Sequence, residues 1–304
     1  MAISRAQLVK ELEPGLNALF GLEYKQYENQ HAEIYTTESS DRAFEEEVML
    51  SGFANANVKV EGSGVAYDEA QETYTARYTH DTIALAFSIT EEAIEDNLYD
   101  RLASRYTKAL ARSMSNAKQV KAAAPLNNGL SSVATFKAGD TVSLFSTNHT
   151  TVSGTAVKNT LTTQADLNET SLEQGLIDIA GMTDERGLRV AARGVKMIIP
   201  SANQFNAERL MKSPGRTGTA DNDINAVASM GMVPQGYRVN NFLTDTDSWY
   251  IITDVPNGMK MFQRAALKTA MEGDFDTGNV RYKARERYSF GVSDYRGIFG
   301  VEGA

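Results

Sequence analysis

Between Gly273 and Gly300 the chain reads at period two. Arg281, Lys283, Arg285 and Arg287 fall on one side, and Tyr282, Ala284, Tyr288, Phe290 and Val292 on the other, with Glu286 alone out of place. A strand sends alternate side chains to opposite faces, so the segment predicts a ribbon with an apolar side and a basic side. The apolar side needs a core. The four cations need carboxylates of this chain or a neighbour, a polyanion, or water. Three readings of the basic face stay open: a solvated edge that discourages aggregation, a charge-paired subunit interface facing acids such as Glu45–Glu47 or Glu91–Glu92, and a phosphate-binding surface.

The chain as a whole is acidic, with a formal net charge of -9, which argues against a dedicated nucleic-acid binder. Its 304 residues suffice for one large domain or two modest ones, and 42% hydrophobic against 23% charged residues is enough to bury a core. The absence of cysteine excludes disulfides, Cys-ligated zinc, iron–sulfur clusters and cysteine nucleophiles. No stretch approaches the ~18 apolar residues of a membrane span, and the N-terminus has no apolar run fit for a signal peptide. A soluble protein made in the cytoplasm is expected.

Leu8, Leu12, Leu16 and Leu19 predict a helix over 5–20 that kinks or stops at Pro14. Residues 21–43 are polar and read as an arm outside the core. Residues 44–88 read as a long hairpin, with Val58–Val60 and Val65–Tyr67 flanking the glycine-rich tip Glu61–Gly64. Its returning side changes parity: Tyr74, Ala76 and Tyr78 are even, whereas Ile83, Leu85, Phe87 and Ile89 are odd. A one-residue slip flips every side chain, so either a bulge interrupts the strand or its outer half meets a different surface, such as a neighbouring molecule.

A long helix is expected over 89–124, capped by Ser88 and Glu91, with acids in front and bases behind as the macrodipole favours. Its apolar stripe, Ile94 to Met114 at spacing four, drifts around the axis and suits a helix lying across a sheet. Further helices are expected at 172–184, from Ser201 to Lys212 and over 224–229. Strands are expected at 195–199, 237–239 and 248–253, and a mobile loop at 213–223. This interleaving suggests an α+β sheet domain inserted before the final strand.

Catalytic patterns are missing. His31, His80 and His149 have no metal-site spacing, and neither HExxH nor a P-loop occurs. Asp245 and Asp247 fit a cation pair less well than a turn before a strand, and Glu45–Glu47 reads as a solvated or interface charge run. No cofactor, no metal and no enzymatic activity are expected. An α+β enzyme or small-ligand binder would need a convergent polar site, which the sequence does not offer.

Seven segments, taken together and in order, resemble the Mu-type branch of the tailed-phage major capsid proteins. They are Tyr74–His80, Ile89–Tyr99, Leu144–His149, Ala165–Leu172, Ala220–Asn225, Asp254–Met259 and the C-terminal ribbon. The resemblance covers roughly residues 40–300. It implies the Hong Kong 97-type shell fold, with an N-terminal arm (1–43), an extended E-loop hairpin (44–88) and a peripheral domain with a spine helix (89–189). An axial domain (190–272) and a peripheral return strand (273–304) complete it. Some relatives begin with a helical scaffolding segment that is cut away. This chain starts almost directly at the arm, so that segment is expected to be missing. Some weld subunits by a lysine–asparagine bond, for which Lys59 is the matching position; no glutamate or asparagine is assigned to it.

The implied function is structural: self-assembly through hexamers and pentamers into an icosahedral head around double-stranded DNA. Phe53, Val58, Lys59, Val60, Glu61, Tyr74, Tyr78, Arg285 and Arg287 are the expected subunit-interface residues. Expected partners are the chain itself, a portal, a separate scaffolding or decoration protein, and packaged DNA by non-specific contact, with no membrane. The location would be the virion, after assembly in the host bacterial cytoplasm. The alternative is an encapsulin-like compartment of the same fold with an enzyme cargo.

Overall fold

The basic ribbon forms one strand, β11 (Val280–Val292), at the heart of a four-stranded sheet. The computed structural model describes residues 5–95, 99–131, 137–216, 223–274 and 278–304. β11 pairs antiparallel with β10 (Met259–Gly273) on one side and β4 (Asp81–Ile89) on the other, and β1 (Thr36–Ser39) joins β10 in parallel. Along β11 burial alternates as expected: Tyr282, Ala284, Glu286 and Tyr288 are buried while Arg281, Lys283 and Arg285 are exposed.

The buried side of this first sheet is covered by two helices, α1 (Arg5–Gln26) and α3 (Tyr99–Asn127), and α2 (Glu91–Glu95) precedes the latter. Leu16 and Phe20 of α1 pack with Ala103, Leu110, Ala111 and Met114 of α3 against Tyr282 and Ala284. Asn17 Oδ1 accepts from Tyr282 Oη at 2.8 Å and from Thr269 Oγ1 at 2.7 Å, tying α1 to both central strands. α1 runs on through Pro14, so the stop that was one of the two outcomes expected there does not occur. An interior proline costs about 3 kcal/mol, and the buried Leu16 and Phe20 hold the helix to the sheet beyond it.

Several expectations are corrected. The continuous 89–124 helix divides into α2 and α3, with Leu98 outside the described residues. Thr90, not Ser88, caps α2, its Oγ1 accepting from Ala93 N at 3.4 Å, because Ser88 is still in β4 opposite Arg281. The segment 21–43 is not a free arm. Ile34 and Tyr35 are buried, and Tyr35 Oη donates to Ala122 O at 2.7 Å.

A second sheet has the order β12 (Ile298–Val301), β9 (Trp249–Thr253), β7 (Gly194–Ile199) and β8 (Tyr237–Val239). α4 (Glu169–Ala180) packs on it through Leu172, Leu176 and Ile179, against Trp249 and Phe299. Asn168 caps α4 by accepting from Ser171 N, three residues ahead of the expected start. The short strands β5 (His149–Thr150) and β6 (Ala156–Val157) pair with each other, α5 (Gln204–Lys212) and α6 (Ala226–Met230) complete the second unit, and the loop expected at 213–223 lies partly outside the described residues. The boundary expected at 273 also moves. β10 belongs to the first sheet, and β12 leaves it to close the second. Two register shifts in β10 break the alternation that would have marked it as a strand. A seam of Ile34, Tyr35, Ala122, Phe145, Tyr250 and Tyr288 joins the two sheets.

Candidate assembly surface

A hairpin of β2 (Phe44–Leu50) and β3 (Glu72–Thr79) projects from the outer face of the first sheet, the face opposite α1 and α3. Its base is seated on β10 and β11. Tyr78 lies over Gly291, where a Cβ would fall 2.6 Å from the ring, and meets Phe262 edge-on at 4.7 Å. The Tyr78 hydroxyl bonds Ser293 Oγ, Ser293 bonds Glu47, and Glu47 pairs with the buried Lys260, which also meets Glu38 at 3.0 Å. Burial pulls the Lys260 ammonium down, but the two carboxylates outweigh it and hold its pKa above the usual lysine value.

The parity change is explained at His80. Its ring sits between Ser40 Oγ and Ser289 Oγ, each at 3.0 Å, where the chain leaves the hairpin and enters the sheet as β4. Ala76 and Tyr78 face the outer side of the sheet, whereas Ile83 and Phe87 of β4 pack toward the helices. No bulge is needed. Burial, then the nearby Arg287, keep the imidazole pKa below its ordinary value.

Tyr74 and Tyr78, expected at a subunit interface, are therefore corrected. Tyr78 is 3% exposed and enclosed by its own chain, and Tyr74 packs beside Tyr295. Their even parity marks the hairpin base on its own sheet. The anchors Glu38, Lys260 and Ser293 were missed, since nothing local in the sequence marks them.

Beyond the base, residues 51–71 form a lobe without strand pairing. Asp68 braces its neck, accepting from Ala54 N at 2.7 Å and Glu69 N at 3.0 Å; these bonds hold its carboxyl below the usual range. Arg186 adds a bond to Glu69 O from the second unit. The tip turns at Glu61–Gly62, with Gly62 at φ +82°, a value that favours glycine. All five expected lobe residues, Phe53, Val58, Lys59, Val60 and Glu61, are exposed. Val58 is 95% and Tyr67 97% accessible, an apolar display that a folded monomer rarely carries without use.

The basic face is half covered. The hairpin base hides Ser289, Gly291 and Lys260, while Lys268, Arg281, Lys283 and Arg285 stay exposed. Arg287 stands at the border, half-buried, with no acceptor for its Nε.

Two further polar clusters are buried. Arg296 pairs with Glu185 at 2.6 Å and Asp294 at 3.2 Å, and His149 bonds Asp140 at 2.6 Å and Asn159 at 3.1 Å beneath the Tyr295 ring. They tie loops to β12. Asp245 accepts from Asp247 N and makes the turn before β9. Among the described residues no group of three or more His, Asp or Glu is placed to hold a metal ion.

Residues 72–301 match the family described as phage capsid protein. The chain belongs to that family. This capsid chain spans 99% of its own length and 77% of the subunit in superposing on the procapsid of bacteriophage JBD30, with a TM-score of 0.55 at 14% identity. It resembles the capsid of an empty GTA particle (TM-score 0.54, 12% identity, 90% and 89% of the two chains). It also resembles a virus-like particle from Pyrococcus furiosus (0.53, 10%, 95% and 98%). No curated protein matches it. The fold is the Hong Kong 97-type, and the protein is a structural capsid subunit. The family match, rather than the shared fold, favours the phage head over the enzyme-compartment alternative.

Proposed function

We propose that this chain is the major head subunit of a tailed phage, assembling through hexamers and pentamers into an icosahedral shell around double-stranded DNA, without catalytic turnover. The first sheet with α1 and α3 acts as the peripheral domain and the second sheet as the axial one. The chain is assembled in the bacterial cytoplasm with a portal and a scaffolding or decoration protein and resides in the virion. The observation that carries this reading is the braced lobe 51–71, whose Phe53, Val58, Val60, Val65 and Tyr67 are all exposed in the single chain. In a capsid family member such a lobe is a surface for a neighbouring subunit.

Removing residues 55–67 joins Ala54 to Asp68, which already share a hydrogen bond, so the rest of the fold should survive. The expected product is a folded chain that forms no closed shells in electron micrographs. Normal-sized particles from this variant would overturn the assembly role of the lobe.

A further inference from the structure

We infer that the exposed side of α3 is the surface that meets the phosphates of the duplex DNA inside the shell, an inference that rests on the shell-subunit reading. Three observations lead to it. First, α3 carries a row of unpaired cations. Arg105, Lys108 and Arg112 are exposed and have no ion-pair partner among the described residues, while Lys118 and Lys121 of the same helix pair with Glu286 and Asp81. From Arg101 to Asn127 the helix has no acid to offer them. Like charges three and four residues apart on a helix repel, so the row is unfavourable in the lone chain and a polyanion relieves it.

Second, the charge of the molecule is divided between its two faces. The hairpin and its lobe, residues 44–79, hold seven acidic and two basic side chains, an excess of acid that exceeds half of the whole chain's net charge of -9. They stand on the face of the first sheet opposite α3. The acid that would repel a polyanion is therefore concentrated on the far side of the sheet. A closed shell has an inside and an outside, and this division fits α3 turned toward the duplex with the hairpin turned away.

Third, the row has the spacing of a phosphate strand. Arg105 and Arg112 are seven residues apart, roughly 10 Å along the helix. One strand of a duplex sets a phosphate about every 3.4 Å along its axis, so about three phosphates lie beside three cations. At 3.6 residues per turn the three cations fall within roughly 60° of one another. The exposed residues next to them, Ala109, Ser113 and Asn116, are short, which lets a sugar–phosphate backbone approach, and Ser113 and Asn116 add uncharged donors. Contacts of this kind position a duplex without reading its sequence, as a container for a whole genome requires.

The test is binding of a fluorescent 30-base-pair duplex to the unassembled full chain, followed by anisotropy across a salt series. Wild type should bind, with affinity falling as salt rises. Arg105→Gln, Lys108→Gln and Arg112→Gln together should lower the slope of log affinity against log salt by about 3, close to one per phosphate lost, with the circular-dichroism melt unchanged. Arg105→Lys with Arg112→Lys should keep the wild-type slope, because a phosphate needs only the charge. An unchanged slope in the glutamine variant would overturn the inference. So would loss of binding on replacing Lys268, Lys283 and Arg285 of the sheet by Gln, which would move the duplex to the other face. Displacement of the duplex by polyglutamate at lower charge concentration than by unlabelled duplex would overturn DNA as the occupant and assign an acidic protein. Electron micrographs test the shell reading separately: the glutamine variant should form normal shells. If wild type forms none while folded, that reading fails, and with it the placing of a duplex inside a shell.

Discussion

Lys118 of the long helix α3 and Glu286 of β11 meet at 2.8 Å in the interior, with Glu286 fully buried. Both were misplaced by pattern alone: Lys118 belonged to a run of helix bases, and Glu286 interrupted an apolar strand face. Together they are one interaction. Lys118 Nζ also donates to Tyr24 Oη at 3.3 Å and lies 5.0 Å from the Tyr288 ring centre. Burial works against the ammonium, but Glu286 and Tyr24 prevail, and its pKa is raised.

Breaking the pair on one side should therefore be costly. Lys118→Met leaves a buried, unpaired carboxylate, and a loss of about 3–5 kcal/mol is expected. Lys118→Met with Glu286→Leu should recover most of it, because the pair's own attraction is largely cancelled by desolvation. Urea denaturation of the unassembled chain distinguishes the two, and equal losses in both variants would contradict the pairing.

His31 should make the subunit acid-sensitive. The Gln119 side chain accepts from His31 N and donates to Nδ1, each at 3.0 Å, so the ring is held neutral. Burial, reinforced by Lys118, pushes its pKa down to about 4. A folded-state value below the unfolded ~6.5 means the unfolded chain binds the proton first. The contribution is complete above about pH 6.5 and is lost as pH falls from there toward 4. His31→Asn keeps an acceptor that does not titrate, and should flatten the fall in melting temperature between pH 7 and pH 4.5.

Gly291 sets how closely the hairpin base approaches β11. A valine there would strike the Tyr78 ring, and overpacking of this kind costs about 1–3 kcal/mol. The hairpin should lift from its seat, so residues 44–79 should be cut by protease faster in Gly291→Val than in wild type. Unchanged cleavage would show that the base can shift sideways instead.

Val58→Asp and Tyr67→Asp should separate folding from assembly. Both side chains are almost wholly exposed, so stability of the single chain should change by no more than about 0.5 kcal/mol. Shell yield should nonetheless drop, since each substitution puts a charge on an apolar contact. Full yield from both variants would remove these two residues from the interface.

Regular amphipathic elements were legible. The period-two ribbon became β11, and the spacing of Leu110 and Met114 placed most of α3. The glycine-rich tip expected at Glu61–Gly64 is where the lobe turns, with Gly62 at φ +82°. Segments that borrow their stability from elsewhere were not legible. β10 hides behind two register shifts, β1 is four polar residues that pair only because β10 is there, and residues 21–35 are ordered by contact with α3. For the candidate site, parity showed that the chain changes surroundings near His80. It could not show that Tyr78 stays on its own sheet.

Local periodicity, turn residues and charge order are properties of neighbouring residues, so the sequence by itself determined the two-faced strand, most of the long helix and the glycine-turned tip, and the resemblance of its ordered segments pointed to the capsid family. Which distant residues meet depends on how the two sheets close around their common seam. Only the tertiary structure decided that Glu286 finds Lys118, that Glu47 finds Lys260, and that β12 leaves the first sheet for the second. A buried charge is tolerable only beside its partner, and that partner is 168 residues away for Glu286 and 213 for Glu47.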